Sequence, residues 1–309
     1  MCNRLIICAI FFSGLILGCE KSPLHKSTRV MLGTFVEVIS DDKLASQVVF
    51  NEIKRIEKLL SKYDPQSEIS RLNQYGNLAV SPETFYIIEQ AKYFWQISSG
   101  AFDITMGPSL DLWGFSDKKY HKPTQTEVER MLRLVGSDKI IIDKNKNTVE
   151  LKIPGMKLDL GAIAKGYAVD CAVKRLKEQG IKNCLINAGG DIYCLGTKYG
   201  EPWRVAIQNP RKDGILNNLY LEDAAVATSG DYAQYFIKDN RRYSHIINPK
   251  TGYPVNSGVT SVTVIAPDCL TADALATAIF VLGKERGLEL AAKFPKVTVK
   301  IITEDDKQH

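Results

Sequence analysis

From Leu158 to Asp170 the chain reads Leu-Asp-Leu-Gly-Ala-Ile-Ala-Lys-Gly-Tyr-Ala-Val-Asp. A carboxylate, Asp159, stands before a glycine turn at Gly161. Lys165 follows the turn and heads a run in which Ala168, Ala172, Val173 and Leu176 recur at helical spacing. A helix that opens through such a turn leaves backbone N–H groups free at its positive end. With a lysine beside them and a carboxylate just before, the place suits a phosphate with a metal nearby. A second stretch, Thr271 to Ala278, sets Asp273 and Thr277 four residues apart in a helix-like run, so carboxylate and hydroxyl share one face. Oxygen ligands from successive turns suit a hard cation such as Mg²⁺. Each stretch also has a plainer reading. The first is an ordinary connection into a helix; in the second, Asp273 complements a helix dipole and Thr277 bonds back to a carbonyl.

Four further stretches are richer in glycine, carboxylate and hydroxyl than a core needs: Thr28 to Thr34, Ser99 to Pro108, Asn187 to Ile192, and Thr228 to Tyr232 leading on to Tyr243–Gly252. The last contains His245 between two strand-like residues, a position also open to a satisfied core histidine.

The elements that must hold these groups are readable in part. Thr34 to Ile39 is expected as a strand, and Leu44 to Leu60 as a helix with Leu44, Val48, Ile53, Ile56 and Leu60 inward. Ser81 and Pro82 cap a helix that runs to Ile97. Lys139 to Asp143 and Thr148 to Ile153 form a hairpin, and Leu158 to Leu160 a strand end. Further strands are expected at 183–187, 191–195, 203–208, 258–266 and 297–302, with helices at 272–282 and 285–292. Hairpins mixed with helices predict an α+β fold with largely antiparallel sheets.

Composition bounds the rest. The 309 residues are 45% hydrophobic and 24% charged, with a net charge of only +5 and no basic run. That gives nucleic-acid binding little support. The chain opens with one arginine, Arg4, and an apolar run from Leu5 to Leu17 that ends Leu17-Gly18-Cys19. The run is short for a membrane span and resembles a bacterial lipoprotein signal, residues 1–18, with Cys19 as the lipidated first residue. Residues 19–27 read as a tether and 28–309 as one domain. The implied location is the cell envelope, lipid-anchored and facing the periplasm or the outside of the cytoplasmic membrane. Cys171, Cys184, Cys194 and Cys269 lack zinc spacing and read as buried thiols.

The order and wording of the motifs resemble the ApbE family of FAD:protein FMN transferases. The set is Met31-Leu32-Gly33-Thr34, Lys62-Tyr63-Asp64, Gly100-Ala101-Phe102-Asp103, Asp159 to Gly166, Asn187 to Asp191, Ser244 to Gly252 and Asp273 to Thr277. The resemblance implies transfer of FMN from FAD to a threonine or serine hydroxyl of a partner protein, a respiratory or redox membrane subunit among the candidates, with release of AMP. It implies Mg²⁺ held by the Ala162 main-chain oxygen, Asp273 and Thr277. It places FAD contacts at Met31, Tyr63, Ala101, Phe102, Asp103, Asp159, Lys165, His245 and Ile246. The base that takes the hydroxyl proton is Asp273 or His245. Asn248 departs from the family's usual aspartate and is expected to cap a turn. Two other functions stand beside this one: a metal-dependent FAD pyrophosphatase using the same site with water as acceptor, giving FMN and AMP, and a flavin-binding lipoprotein without catalysis, which would need neither Asp273 nor Thr277.

Overall fold

The structure is a computed structural model and describes residues 23–304. The expected signal and the lipidated Cys19 lie outside the described residues. The chain begins with β1 (His25–Met31), β2 (Thr34–Ser40), α1 (Ala45–Leu60), α2 (Glu68–Tyr75), β3 (Asn77–Ala79) and α3 (Pro82–Ile97). It continues through α4 (Gly107–Leu112), α5 (Gln125–Leu132), β4 (Ile140–Asp143), β5 (Thr148–Leu151) and α6 (Ala164–Glu178). Then come β6 (Cys184–Ala188), β7 (Asp191–Leu195), β8 (Trp203–Gln208), β9 (Ile215–Leu221), β10 (Ala224–Gly230), β11 (Tyr235–Lys238) and β12 (Arg241–Ser244). The last elements are β13 (Val259–Ala266), α7 (Cys269–Leu282), α8 (Lys284–Ala291) and β14 (Thr298–Thr303). Among the described residues no helix is long and apolar enough to cross a membrane.

Seven strands form one sheet in the order β1-β2-β6-β7-β10-β13-β14, and its neighbours pair antiparallel throughout. The fold is therefore α+β with antiparallel sheet, as the mixture of hairpins and helices predicts. Alternation along the strands divides the sheet's two faces. Cys184, Ile186, Tyr193, Leu195, Ala225 and Ala227 join the core under α1, α6 and α7. Leu185, Cys194 and Val226 point the other way, into a smaller core closed by the β8–β9 hairpin with Trp203 and Val205. Asp191, two residues before Tyr193, falls by the same alternation on the helix-covered face. A third core, around Trp113, Phe115, Tyr243 and Ile247, joins α4 and α5 to the β11–β12 hairpin.

Several local expectations are corrected. His25, Lys26 and Ser27 belong to β1 rather than to a tether: β1 is a polar edge strand, recognisable by its register with β2 and not by apolar alternation. Leu158 to Leu160 is not a strand. Its backbone is satisfied by the Asn73 side chain, which donates to the Leu158 carbonyl at 2.9 Å and accepts from the Leu158 N–H at 2.6 Å, while Asp159 N–H reaches the Ile104 carbonyl at 2.7 Å. Along α1 the inward stripe begins at Ala45 and Val49, with Leu44 exposed at the N-cap. Cys184, Cys194 and Cys269 are buried and Cys171 half-buried, all as free thiols.

Candidate active site

The site is set by the way α6 and α7 meet. A Cβ on Gly166 would lie 2.4 Å from the Cys269 carbonyl oxygen, so only glycine allows this approach. One turn on, the Asp170 carboxylate accepts the N–H groups of Cys269 and Leu270, each at 2.8 Å. Asp268 caps α7 by accepting the Thr271 N–H at 2.8 Å. These bonds satisfy the free donors of α7 and pin its first turn to the middle of α6.

Asp273, one turn into α7, therefore faces the head of α6. Its Oδ2 lies 3.3 Å from the Lys165 ammonium and accepts the Gly166 N–H at 3.3 Å. Lys165 Nζ lies closer still, at 2.7 Å, to Asp191 Oδ2. That contact is close in distance but off the hydrogen-bond axis, and no hydrogen-bond donor is aligned on Asp191 Oδ2. Asp191 is 3% and Asp273 4% exposed. Asp191 is pushed well above the usual carboxylate range, first by burial and next by the Asp273 charge, with Lys165 opposing both. Burial alone would lower Lys165, but the two carboxylates outweigh it and hold the ammonium above its ordinary value. Two buried carboxylates against one ammonium leave an excess of acidic groups beside a cavity toward which Lys165 is 27% exposed.

Thr277, a further turn along α7, sets its Oγ1 3.1 Å from the Ser229 hydroxyl at the end of β10. It bonds across to a strand of the sheet and not back to its own helix. The Gly166 N–H, which in a regular helix would close on the Ala162 carbonyl, goes to Asp273 instead, and no backbone N–H among the described residues reaches that carbonyl. The described residues contain no cluster of three His, Cys, Asp or Glu side chains suited to a metal. A cation here would rest on Asp273 with the Thr277 hydroxyl and the Ala162 carbonyl. The excess of acidic groups and the free carbonyl fit a hard divalent ion.

The charged floor opens into a cavity of about 510 Å³ lined by Tyr63, Ala101, Phe102, Asp103, Asp159, Ala162, Lys165, His245, Ile246, Asp273 and Thr277. Met31 is the exception among the expected contacts: it is buried in the core, and its neighbours Leu32 and Gly33 line the cavity instead. Asp159 is held at both oxygens, by Lys62 Nζ at 2.6 Å and by the Gly161 N–H at 2.7 Å. Tyr63 is 69% exposed at the rim, with Lys62 over its ring. Asp103 arrives with its carboxylate engaged, accepting from Thr105 and Ser137. Burial raises its pKa and those bonds oppose the rise.

His245 Nδ1 lies 3.1 Å from the Gln234 carbonyl oxygen. A carbonyl only accepts, so Nδ1 carries the proton and a neutral ring keeps its Nε2 lone pair. Burial lowers the imidazole pKa, as does the Lys165 charge, while the bond to Gln234 works in the opposite sense. Asn248 accepts the Lys250 N–H on its side chain at 2.9 Å and the Gly252 N–H on its carbonyl at 2.8 Å, so it caps the turn as expected.

Asp191, Ser229 and Lys62 lie within the sequence motifs, but only the structure gives them a place in the site. Asp191 was signalled by the glycine pair before it. Nothing local marks Gln234.

The fold and the site define an α+β protein with a deep cavity, charged at its floor and apolar along much of its wall. The chain belongs to the ApbE family, whose model matches residues 32–301. It is 37% identical to a Vibrio cholerae FAD:protein FMN transferase, over 94% of this chain and 92% of that protein. It is 33% identical to the Haemophilus influenzae protein of the same name, over 97% and 93% of the two chains. Among solved structures it resembles the ApbE protein of Thermotoga maritima, with a TM-score of 0.85, 36% identity, and coverage of 92% of this chain and 95% of that one. The flavin transferase ApbE of Vibrio cholerae superposes with a TM-score of 0.80 at 33% identity, over 91% and 94%.

Proposed function

We propose that this chain moves the FMN half of FAD onto a threonine or serine hydroxyl of a partner protein and releases AMP, with Mg²⁺ as the metal. The observation that carries this reading is the Asp191–Lys165–Asp273 cluster, which opens into the same cavity as Thr277 and His245. Relatives bearing the transferase name align over nearly all of the chain.

In the proposed reaction the acceptor oxygen attacks the FMN-side phosphorus of the pyrophosphate. A new phosphoester bond forms, and the bond to the bridging oxygen breaks. AMP leaves with that oxygen and its electron pair, and the hydroxyl proton passes to His245 Nε2. His245 suits the base role better than Asp273: its Nε2 is left free by the Gln234 bond, whereas Asp273 is engaged by Lys165 and Gly166. Lys165 offsets the charge that gathers on the phosphate oxygens. Asp273, Thr277 and the Ala162 carbonyl would hold Mg²⁺, which supplies further charge stabilisation there when bound. Ile246, Leu160 and Phe115 offer apolar wall to the ring systems.

Anchoring through a lipidated Cys19, with the domain facing outward from the cytoplasm and acting on a membrane redox subunit, belongs to the same proposal and rests on the sequence. Cys19→Ala should move the protein from the membrane to the soluble fraction, or leave it unprocessed. Unchanged fractionation with an unmodified N-terminus would refute the anchor.

The test of transfer is incubation with FAD, Mg²⁺ and an acceptor protein, read by intact mass. One FMN gained per acceptor with equal AMP is the expected result, and chelation of the metal should stop it. AMP and free FMN with an unmodified acceptor would assign hydrolysis instead.

A further inference from the structure

The floor of the cavity holds three charged groups, and the reaction proposed above uses only Lys165 and Asp273. Asp191 is the most enclosed of the three, and it is set in place by the turn at Gly189 and Gly190, whose φ values of 64° and 101° suit glycine. The Asn187 side chain secures that turn by accepting the Gly190 N–H at 2.9 Å. Asp191 does not contact the Thr277–Ser229 hydroxyl pair in any hydrogen bond, and its close charged partner is Lys165 at 2.7 Å.

Lys165 is shared unequally. Its ammonium is 2.7 Å from Asp191 and 3.3 Å from Asp273. An ammonium and a divalent cation compete for the same carboxylate lone pairs, and Asp273 is the only carboxylate in the donor set that suits the cation. We infer that Asp191 is a positioning residue: it takes the nearer share of the Lys165 ammonium, so that Asp273, which still accepts from Lys165 at 3.3 Å, does not hold that charge alone and can admit the metal, with the ammonium kept ready for phosphate. Were Asp191 neutral, Asp273 would be the one carboxylate left beside Lys165, and a poorly solvated ammonium closes on the charge that remains. The metal would then have to displace it. This inference rests on the reading of Asp273 as a metal ligand.

The test measures metal binding directly, with Mn²⁺ alone as the probe and free Mn²⁺ read by electron paramagnetic resonance, in the full chain without FAD. Asp191→Asn should weaken Mn²⁺ at least tenfold. Lys165→Met should not weaken it, and Asp191→Asn placed on Lys165→Met should leave affinity within about threefold of Lys165→Met alone. Rescue by a second loss is something a merely structural role for Asp191 would not produce. Wild-type affinity in a folded Asp191→Asn protein would overturn the inference, as would an equal loss in the Lys165→Met background, which would make Asp191 a ligand itself. If Asp191→Asn alone does not fold, the comparison in the Lys165→Met background still decides, together with Asp191→Glu, which should keep wild-type affinity. Asp273→Ala is the control for the underlying reading. Mn²⁺ bound normally by Asp273→Ala would remove the metal site and this inference together, whereas the Asp191→Asn results reject the inference alone.

Discussion

The wall of the cavity made by α6, α7 and the head of β7 differs in kind from the wall that carries His245. The first places three charged groups within 3.3 Å contacts at the bottom of a tight helix crossing, where Gly166 touches the backbone of Cys269. The second is backed by a raft of rings, of which Phe115 lines the cavity. Phe236 stacks on Tyr243 at 5.1 Å and on Tyr120 at 5.4 Å, Trp113 lies 5.6 Å from Tyr243, and Phe115 meets His245 edge-on at 6.4 Å. Within that raft His245 is fixed to the Gln234 carbonyl twice, by its backbone N–H at 3.0 Å and by its ring Nδ1 at 3.1 Å. Charges near one another gain or lose energy steeply with small displacements, so the ionic wall has to be rigid. Ring contacts are broad and individually weak, so the aromatic wall tolerates local change. Function should therefore be lost abruptly on one wall and gradually on the other.

The largest expected effect is Asp273→Ala. Transfer should fall by several powers of ten, because on the proposed reading the loss of this carboxylate removes the metal and the metal's charge at the phosphate. Thermal melting should change little, since removal of Asp273 also relieves its repulsion of Asp191. Near-normal transfer by a folded Asp273→Ala protein would erase the contrast between the walls. His245→Ala should come next, with transfer reduced about 10²–10⁴-fold, the usual contribution of a positioned base. Because burial lowers its pKa, the neutral ring persists to lower pH than an ordinary imidazole. The acid limb of the wild-type rate should thus lie below pH 6.5, and a limb above that value would exclude His245 as the base.

Trp113→Phe tests the tolerance of the aromatic wall. It removes the indole N–H bond to the Gly252 carbonyl, 2.9 Å long, and leaves that buried oxygen unpaired. A loss of about 1–3 kcal/mol in stability is expected. KM for FAD should rise a few-fold while kcat stays within about twofold. A collapse of kcat would show that the raft positions His245 more strictly than its contacts imply. The smallest effect is Asn248→Asp, which restores the family's usual residue. Either side chain can accept the Lys250 N–H, so rate and melting temperature should stay close to wild type, within about 0.5 kcal/mol in stability. A large gain in rate would instead give the carboxylate a part in catalysis.

Local periodicity carried much of the fold. The hairpin of β4 and β5, the proline-capped α3 and the strands β7 and β8 stand where their patterns predict. It failed where tertiary contacts replace local ones. β1 is polar and is a strand because β2 pairs with it; Leu158 to Leu160 is apolar and is not a strand because Asn73 takes its hydrogen bonds. β9, with its exposed Ile215, Asn217 and Tyr220, carries no clean alternation and follows from its register with β8.

The site divides in the same way. Asp273 and Thr277 were readable as a pair because residues four apart share a helix face, a property of the helix that needs no partner. Lys165 at the head of α6 was readable for the same local reason, and the sequence by itself determined both. That Lys165 meets Asp273, 108 residues away, and shares its charge with Asp191 was decided only by the crossing of α6 with α7 and by the face of the sheet on which β7 sets its first residue. No spacing in the chain records that crossing. It depends on a glycine whose missing Cβ matters only when the Cys269 carbonyl is 2.4 Å from where it would stand.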